Sequence, residues 1–196
     1  SDGAGPPVIT PPSSFADLGT QGFTIRGEAF LDFAGTSVSG AGDVNGDGFD
    51  DLLVGAPGND GGGITAGAAY VVFGRAEGLG PLVDLGQVAQ GVGGFKIQGE
   101  NTFDEAGDSV SSAGDVNGDG FDDLLIGASS NESGGRVAGA AYVVFGRAEG
   151  LGPLVDLDRV AQGNGGFKIQ GENAYDKAGS SVSTAGDVNG DGLDDF

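Results

Sequence analysis

Oxygen-bearing side chains recur at one spacing in three places. In the segment DVNGDGFDD, residues 43–51, they stand at loop positions 1, 3, 5 and 9: Asp43, Asn45, Asp47 and Asp51. Position 6 is Gly48 and position 7 the bulky Phe49. The copies are Asp115, Asn117, Asp119, Phe121 and Asp123, then Asp187, Asn189, Asp191, Leu193 and Asp195. A hard cation of Ca²⁺ size takes about 6–8 oxygens. Alternate residues of a tightly curled loop converge, the glycine permits the sharp turn, the position-7 carbonyl adds an oxygen and the position-9 carboxylate closes the set. Asp-Asn-Gly clusters also make ordinary hairpin turns. Three carboxylates facing one centre repel, however, and repeating that at one register favours up to three Ca²⁺ ions over plain turns. Asp50, Asp122 and Asp194 fall out of phase and are expected to face solvent or cap the next strand.

Other loops share the opening pattern. An EF-hand needs an acidic residue at position 12, where this chain has Val54 and Ile126, and flanking helices, where this loop runs into an apolar strand. Dockerin-type loops fail on the same two points, and the RTX nonapeptide is absent.

Composition narrows the chemistry further. The chain has 29 Asp and Glu against 8 Lys and Arg, a net charge of −21, so nucleic acid and anionic membrane surfaces are poor partners. It contains no His, Cys, Trp or Met. That removes the commonest general base, thiolate sites and disulfides, and leaves oxygen as the ligand for any metal. No apolar run approaches a membrane span of about 20 residues. An enzyme is not expected: Tyr70 and Tyr142 read as core, and Arg75 and Arg147 as cover for a sheet face. The sequon Asn131-Glu132-Ser133 reads as a turn, and Arg26-Gly27-Glu28 is not an RGD and falls on a predicted strand.

The elements that position the loops repeat every 72 residues. GDVNGDG begins at Gly42, Gly114 and Gly186, and GF(T/K)I(R/Q)GE at Gly22, Gly94 and Gly166. The units are 22–93, 94–165 and a partial third, 166–196, after a Pro/Ser-rich lead-in over 1–21. Each unit predicts four short strands. Phe95 and Ile97 alternate with Lys96 and Gln98 as in a half-buried strand, 36–42 is a small-residue strand, and 51–56 and 68–73 are apolar runs for strands buried on both faces. Residues 76–92 hold one short helical turn at most. Four strands at fixed spacing predict an all-β fold of β-propeller blades; a β-helix, whose coils are much shorter, and an elongated β array are the alternatives.

GDVNGDGFDDLLVGAP (42–57) followed by GAAYVVFG (67–74) resembles the FG-GAP repeat of integrin α-subunit propellers, in the style of long tandem repeats in large bacterial secreted and surface proteins. The resemblance runs from about residue 15 onward. The "FG" element reads Ala34-Gly35, Ala106-Gly107 and Ala178-Gly179; "GAP" is Gly55-Ala56-Pro57 and then Gly127-Ala128-Ser129. The resemblance implies a loop between the first two strands of a blade that binds Ca²⁺ through the residues named above. It implies a secreted or cell-surface structural or adhesion module, with a protein or glycan as further partner and a lectin-like propeller or calcium-dependent polysaccharide enzyme as alternatives. No partner-binding loop matches residue by residue. Family propellers close with about seven blades, so the chain is expected to be a segment of a longer protein or one protomer of an oligomer.

Overall fold

The computed structural model describes residues 22–148 and 151–196. The lead-in expected over 1–21 lies outside them. The strands are β1 Thr24–Arg26, β2 Val38–Gly42, β3 Asp51–Ala56, β4 Ala68–Val72, β5 Leu82–Asp84, β6 Gly94–Gln98, β7 Val110–Gly114, β8 Asp123–Ala128, β9 Ala140–Val144, β10 Leu154–Asp156 and β11 Gly166–Gln170. Two short helical turns, α1 Leu85–Val88 and α2 Leu157–Ala161, are capped by the side chains of Asp84 and Asp156.

Two antiparallel four-stranded sheets dominate, in the orders β2-β3-β4-β6 and β7-β8-β9-β11. These are the propeller blades the sequence predicts. Each sheet takes three strands from one 72-residue period and its outer strand from the next, because β6 hydrogen-bonds to β4 with Tyr70 opposite Lys96. The three-residue β10 adds in parallel to the far edge of β6, and β5 pairs with β1 in the same way.

Burial follows the apolar runs. Every residue of β4, β8 and β9 is buried, as strands covered on both faces require. One continuous core joins the sheets, with Leu53, Val71, Phe95 and Ile97 from the first meeting Val110, Leu124, Ile126 and Tyr142 from the second. Neighbour contact decides burial at equivalent positions: Val110 faces the first blade and is 6% exposed, whereas Val38 is 63% exposed.

The alternation along β6 mispredicts one residue. Lys96 is buried rather than solvent-facing, because its ammonium meets Glu28 at 2.6 Å under cover of the preceding period. Burying a lysine requires such a partner.

Candidate metal centre

The loop after β2 is wound around its first aspartate. Asp43 Oδ1 accepts the amides of Gly46 and Asp47 at 2.8 and 3.0 Å, and its Oδ2 accepts that of Gly48 at 2.8 Å. Gly48 has φ +88°, the left-handed turn that position 6 was expected to need. Asn45 Oδ1 accepts the Asp47 amide and Asp47 Oδ1 that of Phe49. Asp115 and Asp187 organise their loops through the same bonds.

Position 9 anchors the loop to the sheet. Asp51 starts β3, is 1% exposed, and accepts the amides of Val44 at 3.2 Å and Gly74 at 2.8 Å. Asp123 repeats this with Val116 and Gly146. Burial pushes both carboxyls up to about 6; the amide hydrogen bonds oppose the shift, and the charges at positions 5 and 1 add to it. The negative charges of Asp47 and Asp43 therefore reach Asp51, and those of Asp119 and Asp115 reach Asp123.

The structure brings positions 1, 3, 5 and 9 into one hydrogen-bonded loop without closing them into a cation cage. Among the described residues no three carboxylates stand together as a ready-made metal cluster. In the first loop Asn45 Nδ2 donates to Asp47 Oδ2 at 3.0 Å. The donor chemistry fits a hard cation: all the side-chain donors are oxygens, and Asp43 Oδ2, Asn45 Oδ1 and Asp47 Oδ1, each accepting one amide, keep a second lone pair.

Asp50 is exposed, as expected, but the other two out-of-phase aspartates depart from expectation. Asp122 is half-buried and its Oδ2 accepts the Asp43 amide at 2.7 Å, 79 residues away in the preceding loop. Asp194 does the same to Asp115 at 3.1 Å. These residues neither face solvent nor cap a strand, because the neighbouring blade brings an amide to them. The repeat spacing was the signal that could have found them, since all three copies keep Asp at loop position 8.

A polar cluster around two buried tyrosines also escaped the sequence reading. Tyr70, fully buried, donates to Glu28, and Asn59 and Lys96 converge on the same carboxylate. Tyr142 and Lys168 repeat this on Glu100. Burial pushes Glu28 and Glu100 up, but hydrogen bonds from the lysine and tyrosine, with the lysine charge, hold both below the usual range. Burial, and then the glutamate, drive both tyrosine hydroxyls upward, so they stay protonated as core donors, as expected of core residues. Asn131 of the sequon is fully buried and donates to Asp104 at 2.6 Å. Arg75 braces the following turn through the carbonyls of Gly78 and Leu79.

A family model described as FG-GAP repeat matches residues 34–72 and 106–144. Each match holds one complete loop and three strands of one blade. Integrin alpha pat-2 of Caenorhabditis elegans is 31% identical over 168 residues, covering 84% of this chain and 13% of that protein. Phosphatidylinositol-glycan-specific phospholipase D is 32% identical over 149 residues in Dictyostelium discoideum (71% of this chain, 15% of that protein) and 36% over 116 in Rattus norvegicus (58% and 13%). The chain thus spans well under a fifth of the length of these relatives. With its blades, its loops and both matched segments in register, the chain belongs to the FG-GAP repeat family.

Proposed function

We propose that each loop holds one Ca²⁺ ion and that the chain is a calcium-stabilised structural or adhesion module of a secreted or cell-surface protein. The observation that carries this reading is the buried position-9 carboxylate, at Asp51 and Asp123, which anchors the loop to the sheet and feels the charge of two further aspartates of its own loop. The ligands in the first loop are Asp43, Asn45, Asp47, Asp51 and the Phe49 carbonyl, with equivalents in the second and third. A bound cation supplies the positive charge that these carboxylates lack in one another. Asp43 holds the turn, Asp51 ties it to β3, and Asn45 and Asp47 bring the remaining oxygens. Stiffened loops then fix the strand ends of adjacent blades.

The relatives include integrins and phospholipases D, and the part they share with this chain is the repeat. The repeat is therefore better read as scaffold and binding surface than as the seat of a reaction. The Tyr70–Glu28–Lys96 cluster is internally satisfied, which supports a non-enzymatic reading. A protein or glycan is the partner such a surface would take.

Thermal melts in chelator and in millimolar Ca²⁺ test the metal. Stabilisation of about 2.7 kcal/mol per site is expected at a hundredfold excess over Kd. Identical melting temperatures would overturn the reading. Asp119→Ala should abolish binding at the second loop.

A further inference from the structure

The geometry points to Asp122 and Asp194 as positioning residues, each holding the metal loop of the preceding blade in its binding shape. The inference rests on the calcium reading above for its consequence, and on independent contacts for its geometry. Asp43 and Asp122 bond reciprocally. The Asp43 amide donates to Asp122 Oδ2 at 2.7 Å, and the Asp122 amide donates to the Asp43 carbonyl at 3.3 Å. Asp115 and Asp194 repeat the pair at 3.1 and 3.2 Å. Asp43 and Asp115 are the residues around which their own loops wind, so each loop is pinned at its organising residue by the next blade.

Neighbouring residues are shaped for this contact. Gly42 and Gly114 have φ +71°, and a Cβ on either would lie 2.2 or 2.1 Å from the incoming carboxylate oxygen. The Phe121 ring lies over Gly46, where a Cβ would meet it at 2.5 Å, and Leu193 approaches Gly118. The Arg147 amide donates to the Val44 carbonyl at 3.0 Å, a third grip on the first loop from the second blade. Phe121, Asp122 and Asp123 are consecutive. Residues 121 and 123 belong to the second loop's own ligand set, while 122 reaches back to the first. Order in one loop therefore reaches the preceding one through Asp122 together with these neighbouring contacts, running from later blade to earlier.

Glycine amides of the intact chain separate the sites: Gly48 reports the first loop and Gly120 the second in a nitrogen-15 NMR titration with CaCl₂. Asp122→Ala should weaken calcium at the first loop by roughly tenfold, the scale of one charge-assisted hydrogen bond, and leave the second within about twofold. Asp122→Asn keeps an acceptor oxygen and should recover most of the loss. Asp194→Ala should move the effect to the second loop, and serves if the Asp122 variant does not fold. An unchanged first site, or equal losses at both, would overturn the proposal. Hydrogen exchange of the Asp43 amide in chelator tests the contact without metal: Asp122→Ala should speed it at least tenfold, and unchanged exchange would overturn the tie. If calcium moves no glycine amide in the native chain, the metal reading falls, and the exchange result alone decides the tie.

Discussion

Gly55 stands against Gly107 so closely that a Cβ on Gly55 would lie 2.0 Å from the Gly107 carbonyl oxygen. The two glycines belong to the GAP and FG elements of consecutive repeats, and Gly127 meets Gly179 at the same 2.0 Å. The motif that marks the family is thus a backbone contact between blades. Gly107 also donates its amide to Gly127 at 2.8 Å within its own repeat, which holds in place the backbone that meets Gly55. Gly55→Ala should destabilise the chain by about 1–3 kcal/mol or more, since the clash is with backbone that no rotamer change relieves. Urea melts check it, and a Gly55→Ala protein as stable as the native one would refute the contact.

The Lys168–Glu100 pair is held at 2.6 Å with the two side chains 9% and 14% exposed. Lys168→Met removes the cation and leaves Glu100 with only neutral donors in a poorly hydrated site. A loss of about 3 kcal/mol is expected, because breaking a buried pair strands its partner. Replacing both as Lys168→Met with Glu100→Gln should recover a large part of that loss, and a double-mutant cycle measures the coupling.

The loops were legible because their residue types and spacing are local. Asp43 at position 1 and Gly48 at position 6 act within a few residues of themselves. The apolar runs of β3 and β4 were legible for the same reason. What the sequence hid was whatever depends on the next repeat. β6 opens a period yet completes the sheet of the one before, Lys96 looks like the polar half of an alternation until Glu28 covers it, and Asp122 looks idle until Asp43 is brought beside it. The three-residue β5 and β10 carry no pattern of their own and form only because β1 and β6 offer an edge.

Two opposite titrations set the pH behaviour of the calcium-free chain. Asp51 and Asp123 are raised from 3.8 to about 6, so the folded state binds more protons than the unfolded between those values, and stability falls as pH rises through that window. Glu28 and Glu100 are held below 4.5, so their stabilisation is present above that value and is lost as pH falls below it. The chelated chain should therefore be less stable at pH 7 than near pH 4.5. The two aspartates contribute on the order of 2 kcal/mol each to that difference. Calcium should reverse the trend by stabilising the charged carboxylates, and its affinity should drop as pH falls through about 6. Asp123→Asn should flatten the chelated slope between pH 4 and 6 by about half. Denaturant melts at both pH values, with and without calcium, decide each part.

Tested as residues 1–196 alone, the chain should bind calcium most weakly at its third loop. Asp187, Asn189 and Asp191 reproduce the loop bonds of the first two copies, so the turn itself is equally formed. The difference lies at position 9. Asp51 and Asp123 are 1% and 0% exposed, start buried strands, and accept amides from Gly74 and Gly146. Asp195 is only half-buried, and its oxygens accept from Val188 at 3.0 Å and from the Asn189 carboxamide at 3.3 Å, both within its own loop. A carboxylate tied only to its own loop must be ordered by the ion, at about 1–2 kcal/mol for each residue fixed, a factor of roughly 5–30 in affinity. In a calcium titration followed at Gly48, Gly120 and Gly192, the Gly192 amide should shift last. If it moves together with the other two, the sheet anchor at position 9 does not set the affinity, and the loop bonds centred on Asp43, Asp115 and Asp187 are sufficient by themselves.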